Sequence, residues 1–323
     1  MISPAIGIDV CKAHLDVAIQ GVKDKPLHRQ FPYTVDGQRQ LVKWLHQHGV
    51  HGAPVCLEAT GRYSVDIAWL LFKAGYPVAV ENPARTKHFA RSLMTRQKTD
   101  KVDAAMLAHY ASVMPCRAWS PPSVLYSDLK ELKRLIEDLQ TDRTRVLNRL
   151  EGLRTASPAR RHLNEQLRQI EEQLRQVEQE LDDLIDNDST LQAQSQLLTS
   201  IKGIGKITAQ QLLAEIPDWT QFGSADELVA YAGLNPSHRQ SGNKTGYTAI
   251  SKQGNAHLRK TLYYPALSAM QHNPHLKRFA LRLKSAGKAK MAVVVAVMRK
   301  LLVLAYAILK TGKPYDPDYQ VVT

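Results

Sequence analysis

Four carboxylates stand in this chain at places where ionisation is costly. Asp9 closes the apolar run "GIDV", Glu58 closes "PVCLE", and Asp100 and Asp103 lie three apart in "KTDKVDA". An acid at the tip of a buried strand needs positive charge close by. Asp100 and Asp103, at i and i+3 near a helix start, project from one face. If the elements carrying them converge, the cluster cannot ionise fully without cations. Hard carboxylate oxygens suit Mg²⁺ or Mn²⁺, and two such ions form a clamp for phosphodiester displacement. Each acid alone has a simpler reading: Asp100 can cap its helix together with Thr99, and Glu58 can be a solvated strand end.

A fifth residue of interest is Ser241, in "NPSHRQSGNKTGYTAISKQGNAHLRK". A serine in a glycine-punctuated loop is most often a turn residue. Around it, however, stand His238, Arg239, Lys244, Lys252 and Arg259, cations that would hold a phosphate and ease formation of an alkoxide.

The elements that must position these residues fall into three segments, 1–118, 119–195 and 196–323. In the first, the pattern predicts strands at Ile6–Val10, Leu15–Ile19 and about His28–Tyr33, a helix over 35–48, a strand at 54–58, a helix over 63–74, a strand at 77–81 and a helix over 100–114. Three strands, helix, strand, helix, strand, helix is the order of ribonuclease H-like domains. In that sheet the first and fourth strands are neighbours and a late helix crosses their ends, so the four acids meet. Actin-like ATPases also open on a Gly-Ile-Asp hairpin, but the further glycine-rich phosphate and adenosine loops they need are not found.

In the second segment Leu125, Leu129, Leu132, Ile136, Leu139, Val146, Leu150 and Leu153 keep 4-3 spacing, broken at Arg143. The spacing resumes at Leu163, Leu167, Ile170, Leu174, Val177, Leu181 and Leu184. This predicts a coiled coil of two long helices, the second capped by Ser157 with Pro158 at its first position. The two can fold back on each other or pair with a second chain; a dimer is the expectation.

The third segment opens with "IKGIGKITAQQLLAEI", which predicts a helix-hairpin-helix. There Gly203, Gly205 and Lys206 would present backbone N–H groups to a phosphate. An ordinary helix–Gly–helix turn is the competing reading. Near the end, "MAVVVAVMRKLLVLAYAIL" is long and apolar enough for a membrane span. Arg299 and Lys300 at its middle argue for a buried helix of a soluble, mainly α-helical domain instead, with no membrane partner.

The net charge of +13 is uneven. Residues 1–124 hold 15 Lys/Arg and 9 Asp/Glu, residues 125–199 hold 11 and 15, and residues 200–323 hold 17 and 6. Two basic blocks flanking an acidic one suit polyphosphate partners, DNA or RNA. Three scattered cysteines, Cys11, Cys56 and Cys116, fit a reducing cytosol rather than a disulfide framework, and no signal peptide is read at the N-terminus.

Taken in order, "GIDVCK", "EATG", "KTDKVDA", the heptads, "IKGIGKITA" and "RQSGN…GNAHLR" resemble the DEDD-type insertion-sequence transposases, relatives of the Piv-like DNA invertases and now called bridge recombinases. The resemblance spans nearly the whole chain. It implies a RuvC-like (ribonuclease H fold) domain supplying Asp9, Glu58, Asp100 and Asp103, and a C-terminal domain supplying Ser241 as nucleophile. It also implies a cytoplasmic, bacterial, nucleoid-associated recombinase that cuts and rejoins donor and target DNA, guided by a structured noncoding RNA, as a homo-oligomer. A junction-resolving nuclease would need the acids and no serine; a non-catalytic coiled-coil DNA-binding scaffold would need neither.

Overall fold

The computed structural model describes residues 3–93, 99–216, 218–237, 240–241, 244–245 and 249–317. The chain divides into two compact units, Met1–Pro121 and Pro122–Thr323.

The first unit is built on β1 (Ala5–Val10), β2 (His14–Gln20), β3 (Leu27–Pro32), α1 (Val35–Gln47), β4 (Val55–Glu58), α2 (Arg62–Lys73), β5 (Val78–Glu81), α3 (Pro83–Ser92) and α4 (Asp100–Val113). The sheet order is β3-β2-β1-β4-β5, with β1 antiparallel to β2 and parallel to β4. This is the mixed sheet that the strand pattern predicted, with β1 and β4 adjacent. Alternation sorts the side chains. Ile6, Ile8, Leu15, Val17, Ile19 and Leu57 face one way and are buried with Leu41 and Leu45 of α1 and Ile67 and Leu71 of α2. The opposite face carries small residues, and α4 lies directly on it. Ala18 packs against Ala104 and Ala108. Helix α3 was not predicted, although Asn82 caps it and Pro83 sits in its first turn.

The second unit opens with α5 (Val124–Glu151) and α6 (Ala159–Asp186), both 28 residues long. They fold back on each other as an antiparallel hairpin, fastened by Arg143 Nε donating to Glu171 Oε1 at 3.0 Å. The heptad seam is therefore filled within one chain: Leu129, Ile136, Val146, Ile170, Leu174, Val177 and Leu181 are buried in a common core. Of the two arrangements that the heptads allow, this is the fold-back within one chain. Ser157 does not cap α6 either; Pro158 occupies the cap position and no side-chain cap bond forms.

After the hairpin come α7 (Ser189–Thr199), α8 (Lys206–Glu215), α9 (Ala225–Ala232), the short strands β6 (Pro236–Ser237), β7 (Gln240–Ser241), β8 (Lys244–Thr245) and β9 (Ala249–Ile250), then α10 (Ala256–His272), α11 (Pro274–Ser285) and α12 (Lys290–Thr311). The apolar run near the end forms α12, the one helix among the described residues long and apolar enough to cross a membrane. Val293, Val297, Leu301, Leu302 and Ala305 are buried in the core shared with α7, α9, α10 and α11. Arg299 reaches out to Asp226 at 2.8 Å.

Candidate active site

The site forms where β1, β2, β4 and β5 end beneath the first turn of α4. In the β1–β4 register Gly7 lies beside Cys56 and Ile8 beside Leu57, so Asp9 and Glu58 close neighbouring strands. Both belong to the face that α4 covers: Gly7 touches α4, and Cys56 is buried with Met106, Leu107 and Tyr110. A Cβ on Gly7 would stand 2.1 Å from the Ala104 carbonyl oxygen and 2.1 Å from the Ala108 nitrogen. Only glycine permits that approach, and the approach carries the first turn of α4 over the strand ends. Thr99 caps that turn through Val102 N, leaving the Asp100 side chain for other partners.

Asp9 records the convergence electrostatically. Its carboxyl is pushed up to about 6, first by burial and then by the charges of Asp100, Asp103, Glu58 and Asp16. The other three predicted acids therefore all act on Asp9. Supporting side chains hold them. Thr86 Oγ1 donates to Glu58 Oε1 at 2.5 Å, and His14 Nε2 lies 3.2 Å from Asp100 Oδ2.

Three participants were not read from the sequence. Asp16 is 3% exposed, pairs with Asp9 across the β1–β2 hairpin, and bonds His28 at 2.7 Å and Gln30 at 3.0 Å. Glu81 is 4% exposed, lies opposite Glu58 in the β4–β5 register, and pairs with Arg85 at 2.9 Å. His14 stands between two of the acids: its Nε2 and the oxygens of Asp16 and Asp100 lie within 4.8 Å of one another. A signal existed for Asp16. In "HLDVAI" it alternates with Ala18, and a three-residue connection makes β1 and β2 a hairpin, which sets Asp16 opposite Asp9.

The donor set fits a hard divalent cation. Carboxylates from three adjacent strands and one helix turn give several oxygen ligands, and the Asp9 carboxyl, raised by burial and by its acidic neighbours, is one whose ionised form a cation would favour.

The other predicted residues lie in the second unit. Ser241 is in β7, opposite Lys244 of β8 in a tight antiparallel pair. Arg239 lies outside the described residues. Lys252 has a left-handed backbone, φ 54°. Arg259 Nη1 donates to the carbonyls of Ala232 at 3.0 Å and Gly254 at 3.1 Å. Gly203, at φ 112°, backs onto α10, where a Cβ would stand 2.7 Å from that of Ala269. Gly205 caps α8 without a side-chain bond, and Lys206 pairs with Asp182 at 2.7 Å. The Gly203–Lys206 turn thus has packing reasons of its own.

Comparison with known proteins settles the lineage. Residues 6–158 match the DEDD domain of IS110-type elements, described as "Transposase", and residues 195–281 match the "Transposase IS116/IS110/IS902 family". A pilin gene-inverting protein of Moraxella bovis is 30% identical over 315 residues, 96% of this chain and 97% of that protein. The chain belongs to the IS116/IS110/IS902 transposase family. A second relative, the transposase for insertion sequence element IS1111A of Coxiella burnetii, is 27% identical over 225 residues, 61% of each chain. The DEDD domain match takes in the whole of the acidic cluster, and with it the mixed sheet of a RuvC-like fold.

Proposed function

We propose that this transposase and DNA invertase cuts and rejoins DNA at a divalent-cation site held by Asp9, Glu58, Asp100 and Asp103, with Ser241 as the covalent nucleophile. The observation that supports the cation site is the raised Asp9 carboxyl, pushed up first by burial and then by four other acids on neighbouring elements. Mg²⁺ or Mn²⁺ bound there would stabilise charge developing on the phosphate and leaving oxygens. Asp9 and Glu58 set the floor of the site, Thr86 fixes the Glu58 carboxylate, and His14 fixes that of Asp100. Asp100, in the first turn of α4 and the most exposed of the four acids in its setting, is the one whose role is more supportive.

The Ser241 oxygen attacks phosphorus, forming a phosphoserine ester. The bond to one deoxyribose oxygen breaks; the serine proton passes to solvent, and the leaving oxygen takes a proton from solvent to become a hydroxyl. A hydroxyl of the incoming strand then attacks the ester, making a new phosphodiester and returning the serine. Bond energy is kept through the exchange, which attack by water would not do. Lys244 and Lys252 are the phosphate-holding cations near the serine, whereas Arg259 is already engaged with loop carbonyls. A structured noncoding RNA encoded with the element supplies the sequence choice by base pairing, so that the protein grips backbone and shape. Exchange of several strands calls for more than one copy of the chain, acting in the bacterial cytoplasm on nucleoid DNA.

The test uses the purified chain, the element RNA and labelled donor and target DNA. Asp9→Asn, Glu58→Gln and Asp103→Asn each remove recombinant product while DNA binding persists. Wild-type product from any one of them removes that residue from the site. Metal-dependent cleavage with no protein–DNA adduct would describe a junction nuclease instead.

A further inference from the structure

From Leu228 to Tyr315 the sequence contains no aspartate or glutamate and fifteen lysines and arginines. In the second unit a large share of them gather at one corner, on α11 and the turn into α12. Lys277, Leu281 and Lys284 recur at 4-3 spacing along an exposed stripe of α11 that flanks the buried Leu276 and Ala280, and Lys288 and Lys290 follow after the left-handed Gly287. Arg282 lies 5.5 Å over the Phe279 ring, beside Lys300 at 5.7 Å. Lys277, Arg282, Lys284, Lys288 and Lys290 are exposed and form no ion pair among the described residues. Helix α12 is capped by Ala289, whose side chain offers no acceptor, so the first N–H groups of the helix open onto the same turn as Lys288 and Lys290. The family match over the C-terminal region ends at residue 281, so the turn and α12 lie beyond it.

Like charges at this density repel one another, and no acid of the same stretch of chain relieves them. The counter-charge has to come from a partner, and its chemistry has to be that of a repeated anion. We propose that the α11–α12 corner grips the phosphate backbone of duplex DNA without reading its sequence. This rests on the DNA-recombinase reading above and adds a surface to it. Helix α11 offers an edge of about 18 Å, which at one phosphate charge per ~1.7 Å of duplex faces on the order of ten charges. Four of the five unpaired cations are lysines, flexible point charges that hold a backbone rather than recognise a base edge.

The test is the salt dependence of binding by the full-length chain to a fluorescent duplex of scrambled sequence. The neutralised variant carries Lys277→Gln, Arg282→Gln, Lys284→Gln, Lys288→Gln and Lys290→Gln. Each lost phosphate contact lowers the slope of log affinity against log salt by about 0.9, so the slope should flatten by about 4.5. The affinity lost by wild type between 50 and 200 mM salt then exceeds that lost by the variant by about two to three powers of ten. A companion with arginine at the four lysines keeps the wild-type slope and shows that the corner tolerates substitution. An unchanged slope in the neutralised variant overturns the proposal while leaving the recombinase reading intact. So does a loss confined to a structured RNA probe, which would move the surface to RNA. A wild-type chain that binds no duplex at any salt overturns both.

Discussion

Gly7 and Ala104 meet backbone to backbone: a Cβ on Gly7 would stand 2.1 Å from the carbonyl oxygen of Ala104. One small residue on β1 thus sets the height of α4 above the sheet, and with it the reach of Asp100 and Asp103 toward Asp9. Gly7→Ala is expected to lift α4, lowering stability by about 1–3 kcal/mol or more and weakening Mg²⁺ binding with it. Because the clash is with helix backbone, adding Ala104→Gly should not rescue it. Urea unfolding and Mg²⁺ titration check both expectations; full Mg²⁺ affinity in Gly7→Ala would detach the acidic cluster from the position of α4.

Asp9 should leave a signature in stability against pH. Its folded value of about 6 lies above the ordinary 3.8, so between these the folded chain binds more protons than the unfolded one. Stability contributed by the protonated form is present at low pH and lost as pH rises through that window. In cation-free buffer, Asp9→Asn should therefore gain on wild type from about pH 4 to about pH 6 and hold its lead above. Mg²⁺ at neutral pH should narrow the gap by stabilising wild type more than the variant. A difference that is flat with pH would contradict the placement of Asp9 among like charges.

Thr86 is a positioning residue that can be tested apart from the acids. Its hydroxyl bonds Glu58 at 2.5 Å, and Thr86 itself is fully buried. Thr86→Val should lower cation affinity about 10–100-fold, the usual cost of losing an outer-shell partner, while Thr86→Ser should restore it. The readout is a Mn²⁺ or Mg²⁺ titration, with circular dichroism to confirm the fold. Equal affinity in wild type and Thr86→Val would mean that Glu58 is held by other means.

The hairpin predicts a concentration-independent stability. Leu181 is buried in the core between α6 and its neighbours within one chain. Leu181→Ala should lower stability by about 2–5 kcal/mol, and the unfolding midpoints of wild type and variant should stay fixed as protein concentration changes. A midpoint that climbs with concentration would return the seam to an interface between chains.

The order of strands and the four acids were legible in the sequence because both follow from local patterns: alternation, breaks and strand-end carboxylates. Helix α3 was missed because its ten residues are largely polar and bury only Thr86, although Asn82-Pro83 marked its start. Asp16 and Glu81 were missed for a different reason. Their meaning lies in cross-strand register, with Asp9 opposite Asp16 and Glu58 opposite Glu81, and register belongs to pairs of strands. Heptads carry the same ambiguity: Leu174 and Leu181 state that a partner helix exists, and only the fold says that α5 supplies it. Arg259 read as a phosphate clamp by its neighbours in the chain, yet its guanidinium closes on the carbonyls of Ala232 and Gly254.

The account stands most directly on a covalent link between Ser241 and DNA that depends on the Asp9 site. A suicide substrate, nicked so that the released strand diffuses away, should leave wild type joined to DNA in the presence of Mg²⁺, and peptide mapping should place the phosphate on Ser241. Ser241→Ala and Asp9→Asn should each form no adduct while still binding the substrate. An adduct that persists in Ser241→Ala, or one that forms in wild type with all divalent cations chelated, would contradict the account.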